Sequence, residues 1–325
     1  MSRYIITGAA GFIASRVCEF LLAEDHTIIG IDNMNDSYDV RLKEWRLARL
    51  VKHQNFIFIQ EDISNFSQME NVFESHRSID GVINLAARAG VRMSVENPWV
   101  YVDTNVTGTL NLLELCHRFD IQKFILSSTS SLYGSHNQVP YREDADTNRP
   151  LSPYAASKKA AEALCYSYHH LYGLDVTVFR YFTVYGPAGR PDMSLFRFTQ
   201  WICEDKPVQI YGDGNISRDF TYVDDIARGT IAGLKPVKYE VINLGNDHPH
   251  SLMEVIQLLE ELIGKKANLV YSPMHRADVY TTRASIDKAE SMLGWKPAIK
   301  LDEGLKNLVD WYLQERTWTR HIVLP

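Results

Sequence analysis

Cysteine is scarce and unpatterned in this sequence: Cys18, Cys116, Cys165 and Cys203 lie far apart, with no Cys-x-x-Cys. Such spacing supports neither a zinc site nor a disulfide framework, and the four are expected to be buried small apolar residues of a reducing compartment. The eleven histidines show no His-x-x-x-His or His-Glu-x-x-His spacing, so no metal site is expected. Runs of like charge are missing too. The formal net charge of -6 is spread over 325 residues, which argues against a nucleic acid or an anionic membrane surface as partner. Any anionic ligand must then be held by individual arginines. No apolar stretch approaches the ~20 residues of a bilayer-spanning helix. The chain enters a strand-like run at Tyr4 with no cationic, apolar leader before it, which predicts a cytoplasmic location.

What is present is alternation. Short β-branched runs at 3–7, 27–32, 56–60, 81–86, 122–128 and 175–181 are separated by helix-like segments near 11–24, 40–52, 66–76, 97–119 and 153–172. Each helix is long enough for a crossover between parallel strands. The expected fold is α/β, a doubly wound parallel (Rossmann) sheet. After residue 186 the pattern loosens, with "YGPAGRPDM" and "YGDGN" as loops, which predicts a smaller mixed α/β lobe. No internal repeat or low-complexity linker separates the two.

"ITGAAGFIAS" at residues 5–14 spaces Gly8, Gly11 and Ala14 three apart, after a strand and at the head of a helix. Glycines serve any turn with positive φ, but this setting, with Asp32 ending the next strand, is that of a dinucleotide site. Gly8 would make the tight turn, Gly11 would let the backbone approach a pyrophosphate, and Ala14 would keep helix and strand close. The helix N-terminus would supply amide donors. Asp32 would accept from ribose hydroxyls and repel a 2′-phosphate, favouring NAD over NADP; the competing role for it is a cap in "IDNMND". In "SPYAASKKA", Tyr154 and Lys158 stand four apart on one helix face. A neighbouring ammonium and a cationic nicotinamide would favour the phenolate of Tyr154. Alone, such a pair is equally compatible with surface packing. A hydroxyl cluster, "SSTSSLYG", follows the strand at 122–128, at the sheet edge where ligands of such folds bind. Thr129 lies within it.

In order along the chain, "TGAAGFIAS", "VINLAA", "TNVTGTLNLLE", "SSTSSLYG", "YAASK", "RYFTVYGP" and "RDFTYVDDI" resemble the extended short-chain dehydrogenases/reductases, specifically the nucleotide-sugar epimerases and dehydratases. The resemblance covers essentially the whole chain. It implies an NAD-binding domain over 1–186 and a mainly UDP-sugar-binding lobe over 187–325, with segments near 218–247 returning to the first. It implies that Thr129, Tyr154 and Lys158 are catalytic: Tyr154 as base and acid, Lys158 depressing its pKa and holding the nicotinamide ribose, Thr129 orienting the sugar hydroxyl. Phe12 and Ile13 join Gly8 and Gly11 at the pyrophosphate, Asn33 joins Asp32, Asp62 and Ile63 flank the adenine, and Leu85, Ala86, Ala87, Asn105 and Tyr181 line the rest of the cofactor. A homodimer packed through the helices at 97–119 and 153–172 is also implied, though their apolar faces are equally compatible with an intramolecular core.

Small differences after Thr129 bear on the reaction. Dehydratases of this kind carry an acidic pair there, and UDP-glucuronate decarboxylases a glutamate two positions on; this chain has Ser130 and Ser131. That leaves 4-epimerisation. "IDNMNDSYDVRLKEWRL", "AARAGVRMSVENP" and "YFTVYGPAGRPDM" look like the versions found in UDP-glucuronate 4-epimerases, while the charged face of the first is expected to be a solvated helix surface. A sugar carboxylate would be met by Ser130, Ser131 and Thr183, with Arg88, Arg92, Arg190 and Arg197 as cationic candidates. Arg218 matches a position that clamps the UDP pyrophosphate, Asp278 one near the uridine ribose, with Arg276 beside it. The expected activity is interconversion of UDP-glucuronate and UDP-galacturonate through a 4-keto sugar. UDP-glucose/UDP-galactose 4-epimerase, the decarboxylase, the dehydratase and a non-catalytic NAD-binding protein stay open as alternatives.

Overall fold

A computed structural model describes residues 1–273 and 279–324. In chain order the first half runs β1 (Arg3–Thr7), α1 (Phe12–Ala23), β2 (Thr27–Ile31), α2 (Val40–Leu50), β3 (Phe56–Ile59), α3 (Phe66–Ser75) and β4 (Gly81–Asn84). Helices α4 (Val91–Glu96), α5 (Trp99–Tyr101) and α6 (Gly108–Arg118) lead to β5 (Lys123–Thr129), and α7 (Pro153–Tyr172) leads to β6 (Asp175–Tyr181). The second half contains β7 (Thr183–Tyr185), α8 (Ser194–Cys203), β8 (Pro207–Tyr211), β9 (Ser217–Tyr222), α9 (Val223–Ala232), β10 (Tyr239–Leu244), β11 (Pro249–Ser251), α10 (Leu252–Ile263), β12 (Asn268–Ser272), α11 (Asp287–Leu293), α12 (Leu301–Gln314) and α13 (Arg316–Thr319).

Seven strands form one parallel sheet in the order β10-β6-β5-β4-β1-β2-β3. Its strands are covered on both faces, and all seven residues of β5 are buried, which is why they read as continuous apolar runs rather than alternations. One face packs on α1 and the C-terminal helices through residues such as Val17, Leu21, Ile226 and Leu305. The other packs on α3, α6 and α7 through Phe73, Leu112, Leu115 and Cys165. The chain reverses direction across the sheet between β1 and β4, so a crevice opens at the carboxyl ends of these strands. A three-stranded sheet, β11-β9-β7, and the pair β12-β8 complete the fold. β10, the edge of the large sheet, comes from the irregular second half and pairs with β6 from Tyr239↔Val176 to Leu244↔Tyr181.

Two expectations need correction. The helix near 97–119 is broken: Pro98 starts α5, and Val102–Thr107 forms a wider π turn before α6. The Thr109 hydroxyl donates to the Asn105 carbonyl at 2.7 Å while the Asn105 side chain reaches outward to other partners. Such bulges free a side chain from the regular helix surface. The charged surface of α2 is solvated only in part: Arg41, Glu44 and Arg49 are exposed and two others are not. Lys43 and Arg46 are only 4% and 2% exposed. The four cysteines are free and buried. Among the described residues no helix is long and apolar enough to cross a membrane, and no cluster of three or more His, Cys, Asp or Glu side chains has metal-binding geometry.

Candidate active site

The crevice begins where β1 ends. Thr7 Oγ1 donates to Asn84 Oδ1 (2.7 Å) and accepts from Ala86 N (3.1 Å), bolting the turn to the end of β4. Gly8 has φ +70°, and a Cβ there would lie 2.8 Å from Ala86 N; at Gly11 it would lie 2.7 Å from the Gly8 carbonyl. Side chains are excluded at both positions. Gly11 heads α1 with no side-chain cap, so amide donors of the first turn are left for a ligand. Phe12 is buried and Ile13 partly so. Asp32 accepts from Met34 N (2.8 Å) and Ala10 N (3.2 Å), so it both shapes its own loop and ties it to the glycine turn. Asn33 donates to Asp62 Oδ2 at 2.6 Å, joining the ends of β2 and β3. Burial opposes ionisation of Asp62, but bonds from Ser64 and Asn33 and the charge of Arg88 outweigh it and hold this carboxyl below its usual range. Ile63 lies buried beside Gly108, and Leu85, Ala86 and Ala87 sit partly buried at the exit of β4. A bare-backbone cradle with an acidic far wall fits a dinucleotide.

Sequence reasoning missed two groups here. Lys43 Nζ lies 3.4 Å from Asp32 Oδ1, both side chains being nearly inaccessible. Arg46 donates to the carbonyls of Ala10 (3.0 Å) and Ala188 (2.7 Å) and to the Tyr38 hydroxyl (2.8 Å), clamping the glycine turn to the loop after β7. Their spacing of three, one face of an amphipathic helix, was the available signal.

The reaction centre lies where β5 meets α7. The Ser152 hydroxyl caps α7 by accepting from Ala155 N (3.2 Å), and Pro153 opens its first turn, which fixes Tyr154 at the helix start. The Thr129 hydroxyl stands close enough to the Tyr154 phenol to favour its ionised form. Ser131 lies on the same threonine, its amide donating to Thr129 Oγ1 (3.1 Å) and its hydroxyl accepting from it (3.1 Å). Ser130 begins the single 3-10 turn that follows. Burial raises the Tyr154 pKa; the Thr129 hydroxyl and the charge of Arg190 pull it back, and Asp192 pushes it up. Lys158 does not supply this help directly. Its ammonium donates to the Ser127 carbonyl at 2.8 Å, and burial lowers its pKa to about 8 against the opposing influence of Cys165 and Glu162.

Of the cationic candidates, Arg190 is the one whose charge bears on Tyr154; it also bears on Tyr101, and its guanidinium is paired with Asp192 (3.0 and 2.5 Å). Arg88 is held through its backbone, with Asn105 Oδ1 accepting from its N and Nδ2 donating to its carbonyl, each at 2.9 Å. Asn105, itself buried, therefore shapes the 85–90 loop and also donates to Ser157 on α7. Arg92 lies 4.1 Å from the centroid of Tyr211, joining α4 to β8. Arg197 stacks on Trp201 at 4.5 Å, with its Nε buried and unbonded. The Tyr181 hydroxyl shares a 2.7 Å bond with Thr230, which engages it in the core. Thr183 is partly buried on β7. Arg218 Nη1 donates to the Ser217 and Tyr280 carbonyls (2.8 and 3.3 Å). Arg276 and Asp278 lie outside the described residues.

The family described as GDP-mannose 4,6 dehydratase matches residues 5–308. The chain belongs to this family. Members of the GDP-mannose 4,6 dehydratase family need not share its name's reaction, since one fold hosts several chemistries. The chain is 59% identical over 312 residues to the UDP-glucuronate 4-epimerase of Thermodesulfobacterium geofontis, covering 96% of each. The crystal structure of a UDP-glucuronic acid 4-epimerase from Bacillus cereus with UDP-glucuronic acid and NAD is 38% identical and superposes with a TM-score of 0.89, over 96% of this chain and 99% of that one. The UDP-glucose 4-epimerase of Thermotoga maritima with UDP-glucose is 33% identical, also with a TM-score of 0.89, over 97% and 99%.

Proposed function

We propose that this chain is an NAD-dependent UDP-glucuronate 4-epimerase that interconverts UDP-glucuronate and UDP-galacturonate. The observation that carries the substrate is local: the phenol of Tyr154 is neighboured by Thr129 and a cation, Arg190, and no carboxyl follows Thr129. Serine hydroxyls stand where elimination or decarboxylation would need an acid. Tyr154 takes the proton of the C4 hydroxyl while Thr129 orients that hydroxyl. NAD held by the glycine turn and the loop after Asp32 would supply a reversible hydride acceptor for C4. Between the two transfers the 4-keto sugar turns over, and Tyr154 then returns its proton to the oxygen on the inverted carbon. Lys158 would hold the nicotinamide ribose, and the cationic nicotinamide would bring down a phenol that burial and Asp192 hold up. A cofactor ribose held here would meet an Asp32 paired with Lys43 rather than a lone carboxylate.

On the same footing, residues 1–186 hold the cofactor and 187–325 mainly the UDP-sugar, with Arg190 and Arg218 on the anionic groups and Ser130, Ser131 and Thr183 on the sugar. The protein is cytoplasmic and forms a homodimer. Support for the dimer is a set of exposed apolar side chains on its helical side, among them Trp99 (76%), Leu171 (64%) and Val95 (58%). Light scattering of the purified protein reads the mass, and a monomer rejects the dimer. Separate incubation with UDP-glucuronate and UDP-glucose, with products identified by mass and NMR, tests the substrate. UDP-galacturonate is expected from the first; conversion of UDP-glucose alone assigns the neutral sugar instead, and no conversion of either by NAD-loaded protein rejects the enzyme.

A further inference from the structure

Behind the reaction centre a group of deeply buried charges forms one connected network that the chemistry above does not use. Glu162, one turn beyond Lys158 on α7, accepts from Ser128 Oγ at 2.6 Å and from Arg180 Nε and Nη2 on β6 at 3.0 and 2.9 Å. Both side chains are 4% exposed. Arg180 Nη1 continues to the Tyr133 hydroxyl and the Glu143 carbonyl, each at 3.1 Å. Tyr133 donates to Asn243 Oδ1 on β10 (2.6 Å), and Asn243 N donates back to Glu143 Oε1 (2.9 Å). Well-packed apolar side chains would fill this space at no greater cost in stability, so the network's use is sought in what it holds still.

It holds the end of β5. Lys158 bonds the Ser127 carbonyl, Glu162 bonds the Ser128 hydroxyl, and the next residue is Thr129. Two bonds from adjacent turns of α7 thus fix that helix, which carries Tyr154, against the strand that carries Thr129. We propose that Glu162, braced by Arg180, is a positioning residue of the epimerase: it sets the placement of Thr129 against Tyr154 through Ser128, and its carboxylate is the counter-charge to Lys158. The proposal rests on the functional reading above.

The groups involved can be named from each side. Lys158 is faced on its own helix by Glu162 and Cys165, and meets Ser127 of β5. Glu162 is faced by Ser128 of β5 and Arg180 of β6, while Tyr239 of β10 donates to its carbonyl at 3.4 Å. Tyr154 is faced by Thr129, Arg190, Asp192 and the edge of Tyr101. Glu162→Gln keeps the shape, removes the anion and leaves Arg180 uncompensated. Both changes disfavour the Lys158 ammonium, so the alkaline limb of the kcat profile moves to lower pH by about one unit, with kcat down roughly tenfold at pH 8 and KM for UDP-glucuronate within about twofold. The double variant Glu162→Met/Arg180→Met removes both charges without orphaning either. Its alkaline limb lies at the wild-type position, yet kcat remains reduced at every pH because Ser128 has lost its partner.

Each protein is assayed with its NAD content and melting temperature measured in parallel. Wild-type protein inactive on UDP-glucuronate overturns the functional reading and not the network. Active wild type with a Glu162→Gln profile that coincides with it overturns the positioning role, as does a double variant with wild-type kcat and only an altered melting temperature. Should Glu162→Gln fail to fold, the double variant alone decides.

Discussion

The cofactor side and the sugar side of the crevice are built from different materials. On the cofactor side, charge is buried and spoken for: Lys43 faces Asp32, both about 5% exposed, and Arg46 spends its donors on backbone carbonyls and a tyrosine. On the proposed sugar side the cations are only partly buried. Arg190 has a quarter of its side chain exposed and is paired with an equally exposed Asp192, while Arg92 packs on the face of Tyr211. A side chain held by several short bonds in the interior has one conformation, and a solvated ion pair has several. The difference matches two ligands with different demands, one kept through many turnovers and one that must turn over inside the site.

The most severe break spares both sides. Tyr154→Phe removes a phenolic oxygen and little volume, so the cradle and the arginines stay in place, and turnover should fall by about 10³-fold or more. NAD measured in the purified variant should match wild type. Turnover within tenfold of wild type would assign the proton to another group.

Arg46→Met breaks the cofactor side alone. It orphans the Ala10 and Ala188 carbonyls and severs the glycine turn from the loop that carries Arg190, at a cost of about 3 kcal/mol in stability. Purified variant should carry at most a small fraction of the NAD found in wild type, with activity restored in part by added NAD. Undiminished NAD content would show that the clamp is unneeded by the cofactor.

The large sheet and the glycine turn were legible because each follows from local rules. Buried parallel strands read as unbroken apolar runs, and Gly8 is required by a positive φ that no other residue adopts cheaply. Lys43, Arg46, Glu162 and Arg180 were not legible as interior groups. Their partners are backbone carbonyls and side chains 8 to 143 residues away, and no local pattern separates a charged helix face that meets water from one that meets a loop returning from the far half of the chain. The π turn at Val102–Thr107 was hidden for the same reason, since Asn105 answers to Arg88 and Ser157 rather than to its own helix.

Lys158 offers a gentler test of the interior. Its pKa of about 8 in the folded protein lies below the ordinary 10.5, so the unfolded chain binds the proton that the native one sheds between those values, and native stability rises with pH across that window. A displacement of that size corresponds to about 3 kcal/mol, an upper figure for a group whose carbonyl bond is also lost on substitution. Lys158→Met should abolish the rise. Urea titrations of cofactor-free protein from pH 7 to 10.5 compare the two slopes, and parallel curves would place the lysine in an environment no harsher than water.

The smallest expected effect sharpens the sugar side. A 4-keto uronic acid is a β-keto acid, and it loses CO2 when the bond to its carboxylate aligns with the carbonyl π system. Hydroxyls that grip the carboxylate can hold that bond out of alignment, a matter of orientation rather than of binding strength. Ser130 and Ser131 follow Thr129 directly, and Ser131 is already tied to it by two bonds. Replacing both with alanine should therefore leave NAD content untouched and KM raised by only a few-fold, while the ratio of UDP-pentose to UDP-galacturonate rises about three- to tenfold, equivalent to about 1 kcal/mol in the partition. Chromatography of the products measures that ratio, and a ratio equal to wild type means that the arginine on this side, rather than the hydroxyls, restrains the carboxylate.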